Sequence, residues 1–193
     1  DHRDLHSFAT GGSSDLAGAL QTGKYTGAKE LGIALCDLVE AAPRVFRQHT
    51  QSVLEGMMKI ASSMEVDQHC RYMAIEFMLS YCEAEPKTIR KVQGFAKALF
   101  DLLFRYLQNP QFDANWHLVP DDTEEEDLEA SDDFEVGASG LDRWARSLKS
   151  KHVQSIAATV VAQNIVSTDW RLRLASCVSI TYITEACSHD FRP

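Results

Sequence analysis

Apolar residues recur along this chain every three or four positions and do not alternate, so the pattern predicts helices almost everywhere and no strand. Over residues 43–64 the apolar positions Phe46, Val53, Leu54, Met57, Met58 and Ala61 keep helical spacing, and Pro43 suits a first turn, where a missing N–H is no loss. Residues 66–82 place Tyr72, Ile75, Met78, Leu79 and Cys82 on one side of a second helix, which Glu85-Pro86 ends. Pro86 opens a third, long helix in which Ile89, Val92, Phe95, Ala96, Leu99, Leu102, Leu103 and Tyr106 repeat with the same period until Asn109-Pro110 stops it. Upstream, residues 25–40 carry Leu31, Ile33, Ala34, Leu35, Leu38 and Val39 as a further helix. Downstream, the pattern predicts a short helix over 141–148, a clear one over 153–166, and a final one, capped by Thr168, to about Cys187. The start is weaker: Gly11-Gly12-Ser13-Ser14 is a flexible break, and residues 15–20 hold one turn of helix or frayed chain.

The spacing of these helices matters more than any one of them. Arg71-Tyr-Met-Ala74 and Arg173-Leu-Ala-Ser176 both set an arginine three residues before a small one, early in the second helix of a pair, and the two arginines lie 102 positions apart. The helix at residue 25 and the helix at residue 66 are 41 apart, so two such steps leave 20 residues over, the length of 116–135. The chain therefore reads as an array of helical hairpins repeating at roughly 40 residues, the HEAT and armadillo length class, with one loop enlarged. Such hairpins bury their apolar faces only by stacking. The predicted fold is all-α, a right-handed α-solenoid of about four HEAT-type hairpins, in one array over residues 1–193. Its expected divisions are a weakly ordered start at 1–24, the second helix of a first repeat at 25–42, a second repeat at 43–85, a third at 86–150 with an insertion at 116–137, and a fourth at 151–193. The opening at Asp1, with no Met, suggests an excerpt whose two ends are raw cut surfaces.

Charge singles out the enlarged loop. Residues 121–135 (DDTEEEDLEASDDFE) hold ten acidic residues and no basic one, and without them the net charge of −9 becomes +1. The acidity is thus local and marks one place for a basic partner. Ten carboxylates so close repel each other and bring little apolar surface to a core. A cationic partner would relieve that repulsion; the alternative is a solvated loop with no dedicated ligand. Phe134 and Trp116 are candidate anchors of this loop, or ordinary packing residues.

Other chemistry is not supported. The acidic balance argues against a direct nucleic-acid ligand, since phosphate binding needs clustered Lys and Arg. Neither a secretory signal nor an apolar span of membrane length is recognisable, so a soluble protein with no membrane insertion is expected. The five cysteines are scattered without a CxxC pair, which favours reduced, packed thiols. Gly18-Ala-Leu-Gln-Thr-Gly23-Lys24 begins like a phosphate loop, but Tyr25 stands where a Mg²⁺-binding Ser or Thr is required and no strand precedes it. His69-Cys70 has no second pair at zinc spacing. No Ser, His and acid set forms a recognisable motif, so no catalytic residue, metal or cofactor is assigned.

Several linked motifs resemble the importin-β (karyopherin-β) superfamily: Asp132-Asp133-Phe134, Gly140-Leu-Asp-Arg-Trp-Ala145, Thr168-Asp-Trp-Arg-Leu-Arg173 and Glu185-Ala-Cys187, in that order. Upstream, Ala42-Pro-Arg-Val-Phe-Arg47 and Arg71-Tyr-Met-Ala-Ile-Glu76 extend the likeness over about residues 31–191. The best match is the branch that imports ribosomal proteins and histones, in which an acidic loop splits a HEAT repeat of the N-terminal half. There are departures. The family's Asp-Asp-Trp-Asn after the acids is replaced by Asn115-Trp116-His117 before them and Asp132-Asp133-Phe134 after, and its Gly-Gly-Lys reads Lys149-Ser150-Lys151.

The resemblance implies a non-enzymatic nuclear import receptor that shuttles between cytoplasm and nucleus. It would hold basic cargo such as ribosomal proteins or histones on its concave face, answer to the GTPase Ran in its GTP form, and touch nucleoporin FG repeats through a pocket between outer helices. The expected partner-binding residues are Asp121, Asp122, Glu124, Glu125, Glu126, Asp127, Glu129, Asp132, Asp133, Phe134 and Glu135. Asp169 and Arg173, four apart, permit an intrahelical pair, and with Arg71 and Trp170 they are assigned to the repeat framework. Asp142 and Arg143 are placed with them, although they follow the insertion directly and would brace it or meet the partner. A HEAT scaffold or chaperone for basic proteins, without a GTPase, is the competing expectation.

Overall fold

A computed structural model describes residues 25–110, 133–148 and 151–186. The helices are α1 (Tyr25–Ala41), α2 (Thr50–Ser62), α3 (Gln68–Ala84), the short α4 (Pro86–Ile89), α5 (Phe95–Tyr106), α6 (Asp133–Leu148), α7 (Lys151–Asn164) and α8 (Trp170–Ala186), with a 3-10 turn at Pro43–Phe46. No strand occurs among the described residues. The expected turn at 15–20 and most of the insertion lie outside the described residues.

Local chemistry sets the boundaries. Asp67 caps α3 by accepting the His69 N–H at 3.0 Å, and α4 starts on Pro86. The helix expected from Pro43 is interrupted before Thr50. There the Phe46 carbonyl is taken by the His49 N–H at 2.9 Å and by the Thr50 hydroxyl at 3.1 Å, a side-chain bond that competes with the regular ladder. The long helix expected from Pro86 is likewise two helices. Gly94 sits at φ +76, a left-handed conformation that glycine alone adopts without penalty, and the chain turns a corner there. That corner carries Arg90 to the end of α6, where it donates to the Leu148 carbonyl at 2.9 Å. The last helix is capped by Asp169 and not by Thr168: its carboxylate accepts the Arg171 N–H at 2.9 Å.

The largest difference is α6, which begins at Asp133 inside the acidic run and not at Leu141. Gly137 and Gly140 argue against a helix locally, by about 1 kcal/mol each. Here they permit a close approach instead. A Cβ on Gly137 would stand 2.9 Å from both Leu103 O and Leu107 N, and one on Gly140 would stand 2.6 Å from Leu103 Cδ2. Asp133 and Glu135 in the first turn also favour the helix N-terminus.

The helices form two rows. In the first, α1 packs on α3, α3 on α6 and α6 on α8; in the second, α2, α5 and α7 each back onto α3, α6 and α8. Each second-row helix and its successor make an antiparallel hairpin, and the stacked hairpins are an all-α solenoid of the HEAT type. Neighbours in the first row lie side by side, whereas α2 and α5 barely meet, so the array curves with the first row inside. Between the rows Phe46, Phe77, Tyr81, Phe100 and Trp144 are fully buried, and burial of each Phe contributes about 1.5–3 kcal/mol. Their polar atoms are matched: Trp144 Nε1 donates to Ala96 O at 3.2 Å, and the Tyr81 and Thr50 hydroxyls meet at 2.9 Å.

Candidate interaction surface

The inner row presents one solvent-facing stripe per helix. Asp37 and Glu40 on α1, Glu76 and Glu83 on α3, Glu135, Asp142, Arg143 and Arg146 on α6, and Glu185 on α8 all keep contact with solvent. Hydrogen bonds join these stripes across the row. The Ser80 hydroxyl lies 3.1 Å from Glu76 and 3.4 Å from Glu40, Arg143 spans from α6 to Glu76 and Glu83 on α3, and Arg146 links Asp142 to Glu185 on α8. The residues named here are seven carboxylates and two arginines, so they stay net acidic after their internal pairs are made. The hydrogen bonds that Arg143 donates to Glu83, ahead of that to Glu76, hold its guanidinium in the charged form against its partial burial.

Of the expected partner-binding residues, Asp133, Phe134 and Glu135 are described; Asp121, Asp122, Glu124, Glu125, Glu126, Asp127, Glu129 and Asp132 lie outside the described residues, as does Trp116. Asp133 is engaged within the fold, accepting from Tyr72 Oη of α3 at 2.7 Å and from Asn109 Nδ2 at 3.2 Å. Burial, and then this bond to Asp133, raises the Tyr72 phenol above its ordinary range. Phe134 is half-buried against the core, and Glu135 is exposed. The chain therefore enters α6 at a fixed place, beside the first turns of α3 and the last turn of α5.

The framework residues behave in two ways. Arg71 and Arg173 both fold back on the turn before their own helix: Arg71 Nη1 donates to Met64 Sδ at 2.9 Å, and Arg173 Nη1 donates to Ser167 O at 2.8 Å and Thr168 O at 2.9 Å. Arg173 thus holds backbone carbonyls and does not pair with Asp169, which is occupied as the α8 cap. Trp170 is half exposed, its ring covered by the Arg171 guanidinium at 5.0 Å. Asp142 and Arg143 belong to the inter-helix ladder. Sequence reading assigned no site role to Asp37, Glu40, Glu76, Glu83, Arg146 or Glu185, although the spacing of Glu76 and Glu83, two helical turns, already put those two on one stripe.

On the outer side a cleft of about 320 Å³ opens between α2 and the start of α5. Leu54, Met58, Val92 and Phe95 make its apolar lining, and Glu55 and Lys59 stand among its polar residues. No group of three or more His, Cys, Asp or Glu able to hold a metal occurs among the described residues, and no described helix is long and apolar enough to cross a membrane.

Residues 63–155 match the importin repeat family. Importin subunit beta-3 of Saccharomyces cerevisiae is 23% identical over 173 residues, which cover 88% of this chain and 16% of that protein. Among solved structures, Kap121p bound to RanGTP superimposes with a TM-score of 0.76 at 22% identity, over 92% of this chain and 18% of that one. Kap121p bound to Nup53p gives 0.77 at 22% identity, over 92% and 17%. The chain thus spans about a sixth of the relatives it matches. The importin-repeat match spans the centre of the chain, residues 63–155, and the stacked hairpins share the solenoid fold of those solved structures.

Proposed function

We propose that this chain is the part of a nuclear import receptor in which basic cargo and Ran meet, with the receptor shuttling between cytoplasm and nucleus. The observation that carries the reading is the acidic inner face, continuous at Asp133 and Glu135 with a run of ten acidic residues. Cationic cargo such as a ribosomal protein or histone is complementary to that face. Residues 121–135 engage Ran in its GTP form, the cargo, or both in turn, with Asp133 and Phe134 fixing where the run joins the fold. Related Kap121p has been solved with RanGTP and separately with Pho4p, which supports both kinds of partner. RanGTP releases cargo only if it favours a receptor shape that cargo does not. The role is one of binding, with no catalytic step.

The decisive experiment replaces the acids among residues 124–133 by Ser in the full-length protein and measures RanGTP affinity and cargo release. Loss of either supports the reading, and unchanged values for both remove the run from the mechanism. Retention on Ran loaded with GTP but not GDP separates a transport receptor from a scaffold for basic proteins. The outer cleft, with Phe95 and Met58 in its lining, suits a single phenylalanine ring of a nucleoporin FG repeat. A bulky polar substitution such as Met58→Gln is expected to weaken FG-peptide binding and to leave RanGTP binding unchanged.

A further inference from the structure

Met64 stands in the turn between α2 and α3 and is 78% exposed, whereas Met57 and Met78 are buried. Its sulfur accepts from a buried cation: Arg71, 8% exposed, brings Nη1 to 2.9 Å from Met64 Sδ. A thioether is a weak acceptor. Arg71 Nε is also buried and has no hydrogen-bond partner among the described residues, so the guanidinium is short of acceptors. Arg173, which takes the corresponding place in α8, has two backbone oxygens, Ser167 O at 2.8 Å and Thr168 O at 2.9 Å. The turn that carries Met64 is held by long backbone bonds, from Ser63 N–H to Ile60 O at 3.2 Å and from Val66 N–H to Ser63 O at 3.3 Å. An oxygen on the Met64 sulfur would supply what Arg71 lacks. On so exposed a side chain its polarity carries little desolvation cost.

We propose that Met64 is a reversible oxidation site, at which a sulfoxide oxygen becomes the acceptor for Arg71 and firms the α2–α3 turn. The oxidant is a hydroperoxide such as hydrogen peroxide. The sulfur lone pair attacks one peroxide oxygen, the O–O bond breaks and an S–O bond forms. The thioether gives up two electrons, and the departing hydroxide takes the proton from the transferred oxygen and leaves as water. Methionine sulfoxide reductases, one for each epimer at sulfur, reverse the change. Oxidation of a buried methionine disrupts a core. Here it tightens a turn, because the new oxygen meets a donor and not an apolar wall. The turn bears on the next hairpin through Ala61, whose carbonyl accepts from Tyr106 Oη of α5 at 3.1 Å.

The test uses the full-length protein, treated with dilute hydrogen peroxide, mass-mapped for sulfoxide and followed by hydrogen exchange over residues 60–72. Met64 should be oxidised before Met57 and Met78, and exchange in the turn should then slow about fivefold, the equilibrium equivalent of one net hydrogen bond. Reductase treatment should restore the parent rate. Met64→Leu under the same peroxide should show no slowing. Met64→Gln, which carries a carbonyl oxygen in place of sulfur, should exchange more slowly than Met64→Leu with no peroxide added. Unchanged or faster exchange in protein mapped as Met64 sulfoxide overturns the proposal, as does equal slowing in Met64→Leu. So does a Met64 that resists peroxide while Met57 and Met78 react, or exchange that stays slow once the sulfoxide is mapped as reduced. Arg71→Leu removes the donors and should lose the slowing, and slowing that persists there overturns the proposal. If Arg71→Leu does not fold, Met64→Gln against Met64→Leu decides, and equal exchange in those two overturns it.

Discussion

Single side chains in this molecule are set by what they touch. Gly137 is the sharpest case, because the atoms that a Cβ would meet are backbone and cannot swing aside. Gly137→Ala gains about 1 kcal/mol of helix propensity but overpacks the α5–α6 contact, which typically costs about 1–3 kcal/mol. The variant should therefore melt lower than the parent, and a higher melting temperature would show that the two helices can part cheaply. Arg47 holds the Glu85 carboxyl below its ordinary range through two hydrogen bonds, with Thr88 adding a third. A carboxyl depressed in the folded state adds stability above its unfolded value, about 4.3, and that addition is lost as pH falls through the folded value. On the acid side of about pH 4 the parent should lose melting temperature faster than Arg47→Gln; parallel curves would break the link. Burial pushes the Cys36 and Cys82 thiols up to about 12, with neighbouring carboxylates adding to the effect, whereas Cys177 is exposed. Mass-mapped alkylation at neutral pH should therefore mark Cys177 well before Cys36 and Cys82.

Whole elements were legible where apolar periodicity and core coincide. For α3, the sequence stripe of Ile75, Met78, Leu79 and Cys82 is buried as expected. The periodicity failed at the α4–α5 corner because Ile89, Val92 and Phe95 keep helical spacing across it. What ends the helix there is a backbone conformation, and spacing does not record it. Gly94→Ala meets no neighbouring atom, so its cost is that of the left-handed conformation alone, about 1–2 kcal/mol. Hydrogen exchange should locate that loss at the corner and at the end of α6 capped by Arg90; protection unchanged at both would detach the corner from the cap. The start of α6 was hidden for a different reason. Two glycines beside a run of acids look like a loop until α5 is brought against them. The Asp169 cap, one residue from the expected Thr168, is an ordinary boundary shift.

At the scale of the whole molecule, the solenoid was readable and its acidic face was not. A contiguous run such as 121–135 declares itself in the sequence. Carboxylates spread over α1, α3, α6 and α8 are separated by long intervals, and only stacking makes them one surface. Binding of a basic peptide to that surface should weaken steadily with added salt, since a Debye length of about 10 Å at 0.1 M screens exposed charges. Insensitivity to salt would point to apolar recognition instead.

The two rows of helices also differ in how much they grip their own neighbours. α2 and α5 meet at few points, and widening the gap between them would break the buried bond from Tyr106 Oη to Ala61 O at 3.1 Å. Opening the inner row would have to separate α3 from α6 and rupture the Arg143 link. The array therefore yields more readily on its outer side, like a book bound along its inner edge. A ligand that seats itself in the outer cleft or strips a link from the inner face changes the pitch of the superhelix at that leaf, and each later repeat carries the change forward as a growing displacement.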